Sequence, residues 1–119
     1  MQKIIEWTNE VLAMPEVSGR QWVYHEKSQK DGSDLISRIE NISPFHEGYA
    51  SLSNALNQPV AQLLAEPAIL FKEKINFKMP GGGGFAPHQD SQAGWDKYAD
   101  FFISALVSIA QATLENGCL

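Results

Sequence analysis

At 119 residues, with 44% hydrophobic and 19% charged residues, the chain has the size and composition of one soluble domain, residues 1–119, with a single core. A net charge of −5 without any basic cluster argues against phosphate-backbone binding, so nucleic acid is not an expected partner. No window approaches the roughly 18 uncharged apolar residues of a membrane span. Charge interrupts Met1 to Trp7 too early for a secretory signal, so the expected location is cytoplasmic, with no membrane partner. The one cysteine, Cys118, cannot form an internal disulfide, which agrees with a reducing compartment.

From Lys3 to Met14, Ile4, Ile5, Trp7, Val11 and Leu12 recur with helical spacing, and Pro15 marks the stop. Gln21 to His25 is aromatic and β-branched, and Leu35 to Ile42 alternates Leu35, Ser37 and Ile39 against Ile36, Arg38 and Glu40. With a Ser/Lys/Asp/Gly-rich segment between them, these read as two strands joined by a polar loop. Ser43-Pro44 is an N-cap and first-turn pair for a helix over Phe45 to Glu66, with a break expected near Asn57 to Pro59 and an end at Pro67. Ala68 to Met79 reads as a strand in which Ile69, Phe71, Ile75 and Phe77 alternate with Leu70, Lys72, Lys74, Asn76 and Lys78. Pro80 and Gly81 to Gly84 end it, and Phe85 to Asp90 is expected to resume an extended path. After a polar linker holding Trp95 and Tyr98, Phe101 to Ala110 reads as a buried strand, with a helix also compatible with the pattern. Asn116-Gly117 is a tight-turn signal.

His88 and Asp90, two apart on an extended segment, share a face and can converge on one metal ion. An imidazole and a carboxylate make two thirds of the facial triad that leaves open positions on non-haem Fe(II). A His-x-Asp triplet also arises by chance as a surface ion pair; the preceding glycines, which admit a ligand close to the backbone, favour the metal. Lys72 and Asn76, four apart on one strand face, suit a dicarboxylate. Periodicity alone favours a solvated face whose lysines discourage edge pairing. The glycines are not a phosphate loop, since no Gly-Lys-Ser/Thr follows. His25 and His46 read as surface or capping residues. Trp7, Trp22 and Trp95 read as packing residues, Trp95 also being a candidate to line a pocket.

The stretch LFKEKINFKMPGGGGFAPHQD from Leu70 to Asp90, with Ala93-Gly94-Trp95, FISALVSI from Phe102 to Ile109 and ENGCL from Glu115 to Leu119, resembles the phytanoyl-CoA dioxygenase-like family. Glu40 to His46 looks like the N-terminal part of the same family. The resemblance implies an α+β chain with N-terminal helices on a partial double-stranded β-helix, also called a jelly roll or cupin-like fold. It implies hydroxylation of a small-molecule substrate with Fe(II), molecular oxygen and the co-substrate 2-oxoglutarate. On the same analogy His88 and Asp90 are iron ligands, Lys72, Asn76 and Ser104 are co-substrate contacts, and a carboxylate at position 90 favours hydroxylation over halogenation.

Relatives of that family continue into a segment carrying a second histidine ligand and then an arginine for the distal carboxylate of 2-oxoglutarate. No residue here matches those two roles. The expectation is therefore an N-terminal fragment, inactive alone, with exposed strand edges prone to self-association. The alternative is a non-catalytic binding or interaction module on a truncated jelly-roll scaffold.

Overall fold

A computed structural model describes residues 2–116, so the expectations for Gly117, Cys118 and Leu119 lie outside the described residues. The apolar stripe of the first segment forms α1, Gln2–Leu12. Strands β1, Trp22–Lys27, and β2, Asp34–Glu40, make an antiparallel hairpin. Helix α2 spans Glu47–Leu64, and β3, Lys74–Asn76, completes a three-stranded antiparallel sheet in the order β1-β2-β3. Two single-turn 3-10 segments follow, Asp90–Ala93 and Trp95–Lys97. This is a small α+β arrangement of two helices and one sheet. Among the described residues no helix is long and apolar enough to cross a membrane.

Register places the core. Val23 pairs with Ile39 and Ile39 with Ile75, and directly opposed residues share a face. That face carries buried Ile39 and Ile75, which cluster with Val11, Ile42 and Tyr49. The opposite face carries Trp22, Glu40 and Lys74 in one row and Tyr24, Arg38 and Asn76 in the next. The register slips between Tyr24 and His25, leaving Ser37 as the extra residue of a bulge; its hydroxyl donates to the Tyr24 carbonyl at 3.1 Å. The helices meet where Gly48 lies against Trp7, so closely that a Cβ there would stand 2.4 Å from the indole. Beside that contact Thr8 Oγ1 and Tyr49 Oη share a buried 2.8 Å hydrogen bond.

Four expectations need correction. The cap of α2 is His46, not Ser43: His46 Nδ1 accepts the Tyr49 N–H at 3.3 Å. Ser43 instead sits in a turn closed by Phe45 N–H donating to the Ile42 carbonyl at 2.9 Å. Pro59 does not break α2; it and Ala55, whose carbonyl loses its helical partner, are both exposed, so that carbonyl is open to solvent. The strand expected over Ala68 to Met79 shrinks to three residues: Asn41, at φ 58°, turns the chain out of β2, so residues before Lys74 have no ladder to join. Ile69, expected on the apolar face, is 90% exposed. Phe101 to Ala110 is irregular and largely exposed, since among the described residues no strand pairs with it and its exposure leaves its backbone groups open to solvent. A jelly roll is thus not what these three strands form by themselves.

The Glu73 carboxylate, just before β3, ties the approach to that strand to the connection between β2 and α2. One oxygen, Oε1, accepts the Ile42 N–H at 2.7 Å and the Ser43 N–H at 2.6 Å. Hydrogen bonds to a charged group contribute about 1.5–3 kcal/mol each when buried. Because Glu73 is only half-buried, Glu73→Ala is expected to cost about 2–3 kcal/mol in total. Urea denaturation checks this as a lowered midpoint at unchanged slope, with Glu73→Gln intermediate.

Candidate functional site

The path to the site begins at the glycines. Gly82 N–H donates to the Met79 carbonyl at 2.9 Å, closing a turn with Pro80 second and Gly81 third. Gly81 adopts φ 85°, the left-handed third position of a type II turn. A Cβ at Gly81 would also meet Ser28 Oγ at 2.6 Å, so glycine is required there on both counts. The loop is clamped to the β1–β2 hairpin: Gln29 N–H donates to the Gly81 carbonyl at 2.8 Å, and Gly83 N–H to Glu26 Oε2 at 3.0 Å. From this fixed start the chain runs to His88.

His88 and Asp90 come together, though not by strand alternation. Residues 85–89 join no ladder and Asp90 opens a 3-10 turn, so a bend brings the side chains to one place. His88 Nε2 lies 3.7 Å from Asp90 Oδ1. First-row metal bonds of about 2.0–2.2 Å put adjacent donors of one octahedral ion about 3 Å apart, so the two side chains need close only slightly to share one. His88 Nδ1 is 2.7 Å from the Ala86 carbonyl, which can only accept, so Nδ1 carries the proton and the Nε2 lone pair is free to bind a metal. The donor set, one neutral imidazole and one carboxylate, fits a borderline divalent cation such as Fe(II). Ser104 Oγ donates to Asp90 Oδ2 at 3.4 Å, a long bond that adds a third of the sequence-selected residues to the pair. Among the described residues no group of three His, Cys, Asp or Glu could hold an ion.

Aromatic packing holds these segments together. Phe71 stacks on Trp95 at 5.4 Å, on Phe102 at 4.9 Å and on Tyr98 at 5.5 Å between centroids, and Trp95 meets Phe102 at 5.3 Å. Trp95 is therefore a packing residue that ties the turn after Asp90 to the approach of β3 and to the segment bearing Ser104.

Lys72 and Asn76 belong to the sheet face away from the helices. Lys72 Nζ lies 3.2 Å from Glu40 Oε1, and Asn76 pairs in register with Arg38. Among the described residues, no hydrogen bond or ion pair joins either to His88 or Asp90. Nor is the face simply washed by solvent, because Glu40 is only 2% exposed. Arg38 Nε stands 3.0 Å from the same Glu40 oxygen, and the Arg38 guanidinium lies 4.1 Å above the Tyr24 ring. Both contacts to Glu40 have ion-pair distances without hydrogen-bond alignment, so Arg38 Nε and Glu40 Oε1 are buried without a directed partner. Sequence reasoning passed over Glu40; its signal was a carboxylate alternating with Arg38 on a strand that must face a lysine-bearing neighbour.

The other histidines have local roles. His25 sits between Glu16 Oε1 at 3.0 Å and Asp34 Oδ2 at 2.5 Å. The Asp34 hydrogen bond raises its pKa, against a smaller desolvation effect and with help from Glu16. His46 caps α2 and reaches Glu10 Oε2 at 2.8 Å.

Residues 2–119 match the family model described as phytanoyl-CoA dioxygenase (PhyH). The chain is 40% identical over 120 residues to a 2-aminoethylphosphonate dioxygenase of uncultured bacterium HF130_AEPn_1, covering 99% of this chain and 46% of the relative. It is 39% identical over 120 residues to a methylphosphonate hydroxylase of Gimesia maris, covering 99% and 45%. A dioxygenase of Epichloe uncinata, lolE1, is 28% identical over 121 residues, covering 100% and 46%. The chain thus spans about half the length of the curated relatives it matches. No solved structure matches it.

Proposed function

The chain belongs to the phytanoyl-CoA dioxygenase family, and from that premise we propose that it supplies the first half of the active site of an Fe(II)- and 2-oxoglutarate-dependent dioxygenase that hydroxylates a small phosphonate. The observation that carries the reading is the meeting of His88 Nε2 and Asp90 Oδ1 at 3.7 Å with Nδ1 turned to the Ala86 carbonyl. The phosphonate class is supported by the names of the two relatives at 40% and 39% identity.

In this reading His88 and Asp90 are the two iron ligands this chain provides, and Ser104 orients the Asp90 carboxylate from behind while standing beside the co-substrate. Lys72 and Asn76 receive 2-oxoglutarate through charge-assisted and amide hydrogen bonds. Trp95 and its aromatic neighbours exclude water from one side. An Fe(II) ion held by His88 and Asp90 would supply the activation of oxygen, one oxygen atom ending in succinate as 2-oxoglutarate loses carbon dioxide and the other in the hydroxyl of the product. Residues 1–119 form one domain, cytoplasmic and with no nucleic-acid or membrane partner, whose sheet contributes the first strands of a double-stranded β-helix. Further strands, or self-association, would then cover exposed Ile69, Phe101, Leu106 and Leu114.

The test is a substrate panel with the chain extended to the length of its relatives, supplied with Fe(II), ascorbate, oxygen and 2-oxoglutarate. Succinate formation is expected to rise at least about tenfold with 2-aminoethylphosphonate or methylphosphonate over carboxylates of the same carbon skeleton, because a site built for one polar group rejects another. Equal stimulation by carboxylates removes the phosphonate assignment. Silence with a folded, extended chain favours a non-catalytic binding module.

A further inference from the structure

A carboxylate that is 2% exposed on a small sheet is an expensive residue to keep. Taking a charge out of water costs several kcal/mol, and the partner's attraction offsets this only when the geometry is good. Here it is not. Arg38 and Lys72 both crowd onto the single oxygen Oε1, at 3.0 and 3.2 Å, without hydrogen-bond alignment. An apolar side chain would serve the sheet better than this cluster does, which directs attention to what the cluster holds.

It holds two cations against one anion, with Lys74 paired in register to Glu40 on the same face. The local charge is therefore positive. Lys72 keeps 38% of its side chain exposed and Arg38 keeps 32%, whereas Glu40 keeps 3%, so the carboxylate lies beneath and the cationic heads reach outward. An ammonium has three donors, and Glu40 engages one side of it. The Arg38 guanidinium is further fixed by stacking on Tyr24. A flexible lysine on its own loses about 2 kcal/mol of rotamer entropy when it grips a ligand; one already held from below has lost much of that before the ligand arrives.

We infer that Glu40 is a positioning residue for the co-substrate, its buried carboxylate fixing the Lys72 ammonium so that the remaining N–H donors meet a carboxylate of 2-oxoglutarate. The inference rests on the assignment of Lys72 to the co-substrate made above. Asn76, in register with Arg38 on the same face, supplies the neutral donor beside it.

The test uses the 119-residue chain and needs no turnover. The dissociation constant for 2-oxoglutarate is measured by NMR titration, alongside acetylation of Lys72, Lys74 and Lys78 read by mass spectrometry with and without 2-oxoglutarate. In the unsubstituted chain, 2-oxoglutarate is expected to protect Lys72 several-fold more than Lys78. Glu40→Gln is expected to weaken binding about tenfold and to erase that selective protection, and Lys72→Met to weaken binding at least as much. Glu40→Gln with Lys72→Met should bind no worse than Lys72→Met alone, since the first residue acts through the second. A merely structural Glu40 would alter the labelling of all three lysines together and leave the Lys72 selectivity intact. If Glu40→Gln does not fold, Glu40→Asp, which draws the charge back by one methylene, carries the same comparison. Binding and protection unchanged in Glu40→Gln but weakened in Lys72→Met overturn the positioning role and leave the assignment of Lys72 standing. No effect of Lys72→Met, with no protection in the unsubstituted chain, overturns both.

Discussion

His88→Ala and Asp90→Ala will each lower the affinity of the chain for Fe(II), or for Mn(II) as an air-stable probe, by at least about a hundredfold, since losing only an outer-shell partner of a ligand already costs 10–100-fold. The argument is geometric. Nε2 and Oδ1 stand 3.7 Å apart, within a small side-chain adjustment of the roughly 3 Å between adjacent donors of one ion, and Nδ1 donates to the Ala86 carbonyl. Either substitution leaves a single protein donor, and affinity falls with ligand number because each donor held in place spares the ion its ordering cost. Asp90→Asn, which keeps an oxygen but loses the charge, should fall between. Ser104→Ala removes only a 3.4 Å hydrogen bond to the other carboxylate oxygen, so its effect should be a few-fold at most. Mn(II) binding followed by electron paramagnetic resonance separates these cases. Identical affinity in all four variants would sink the metal assignment and make His88 and Asp90 an ordinary surface ion pair, each being about half exposed.

How far the sequence could be read depended on whether a segment's partner lay close by along the chain. Helix α1 and the β1–β2 hairpin were legible because their apolar spacing and the polar loop between them are local signals, and the structure agrees to within a few residues. The core column Val23, Ile39 and Ile75 follows from the same alternation. Phe101 to Ala110 is a strongly apolar run, yet a strand exists only with a neighbour to bond, and none is present among the described residues. The cap of α2 was misread because Ser43 is a better capping residue by type than His46. The Ser43 hydroxyl instead meets Ser53 Oγ at 3.1 Å, and its N–H is held by Glu73, thirty residues away. The nearness of His88 to Asp90 was legible from their spacing, although a bend rather than strand parity brings it about. The nearness of Ser104 to Asp90 could be drawn only from resemblance, because fourteen residues of irregular chain separate them. Glu40 was invisible in one strand read alone; its meaning appears when β2 and β3 are laid in register and one carboxylate is found under two cations.

The 119-residue chain by itself is expected to form no succinate above the level of its own His88→Ala variant, whereas the chain extended to the length of its relatives will turn over. His88 and Asp90 are the two donors proposed for the ion, and among the described residues no third His, Cys, Asp or Glu groups with them. An ion held by two exposed donors keeps most of its water and exchanges readily, so the co-substrate meets an ion without fixed orientation. Lys72 and Asn76, the proposed contacts of 2-oxoglutarate, lie on a face with no hydrogen bond or ion pair to His88 or Asp90 among the described residues. Misplacement by even 1 Å can cost about a hundredfold in rate. The exposed aromatic and aliphatic surface around Phe101, Leu106 and Leu114 also leaves the site open to water. These deficits multiply, because a weakly bound metal, a loosely bound co-substrate and a wet site each reduce the fraction of productive encounters. The assay follows succinate with Fe(II), ascorbate, oxygen and 2-oxoglutarate for the short and extended chains, each with His88→Ala as its control. Turnover by the short chain that vanishes in His88→Ala would overturn the expectation and require the third ligand to come from a second copy of the chain or from an unforeseen residue. Dilution then separates the two, since activity assembled between copies falls with the square of concentration while activity within one chain falls linearly.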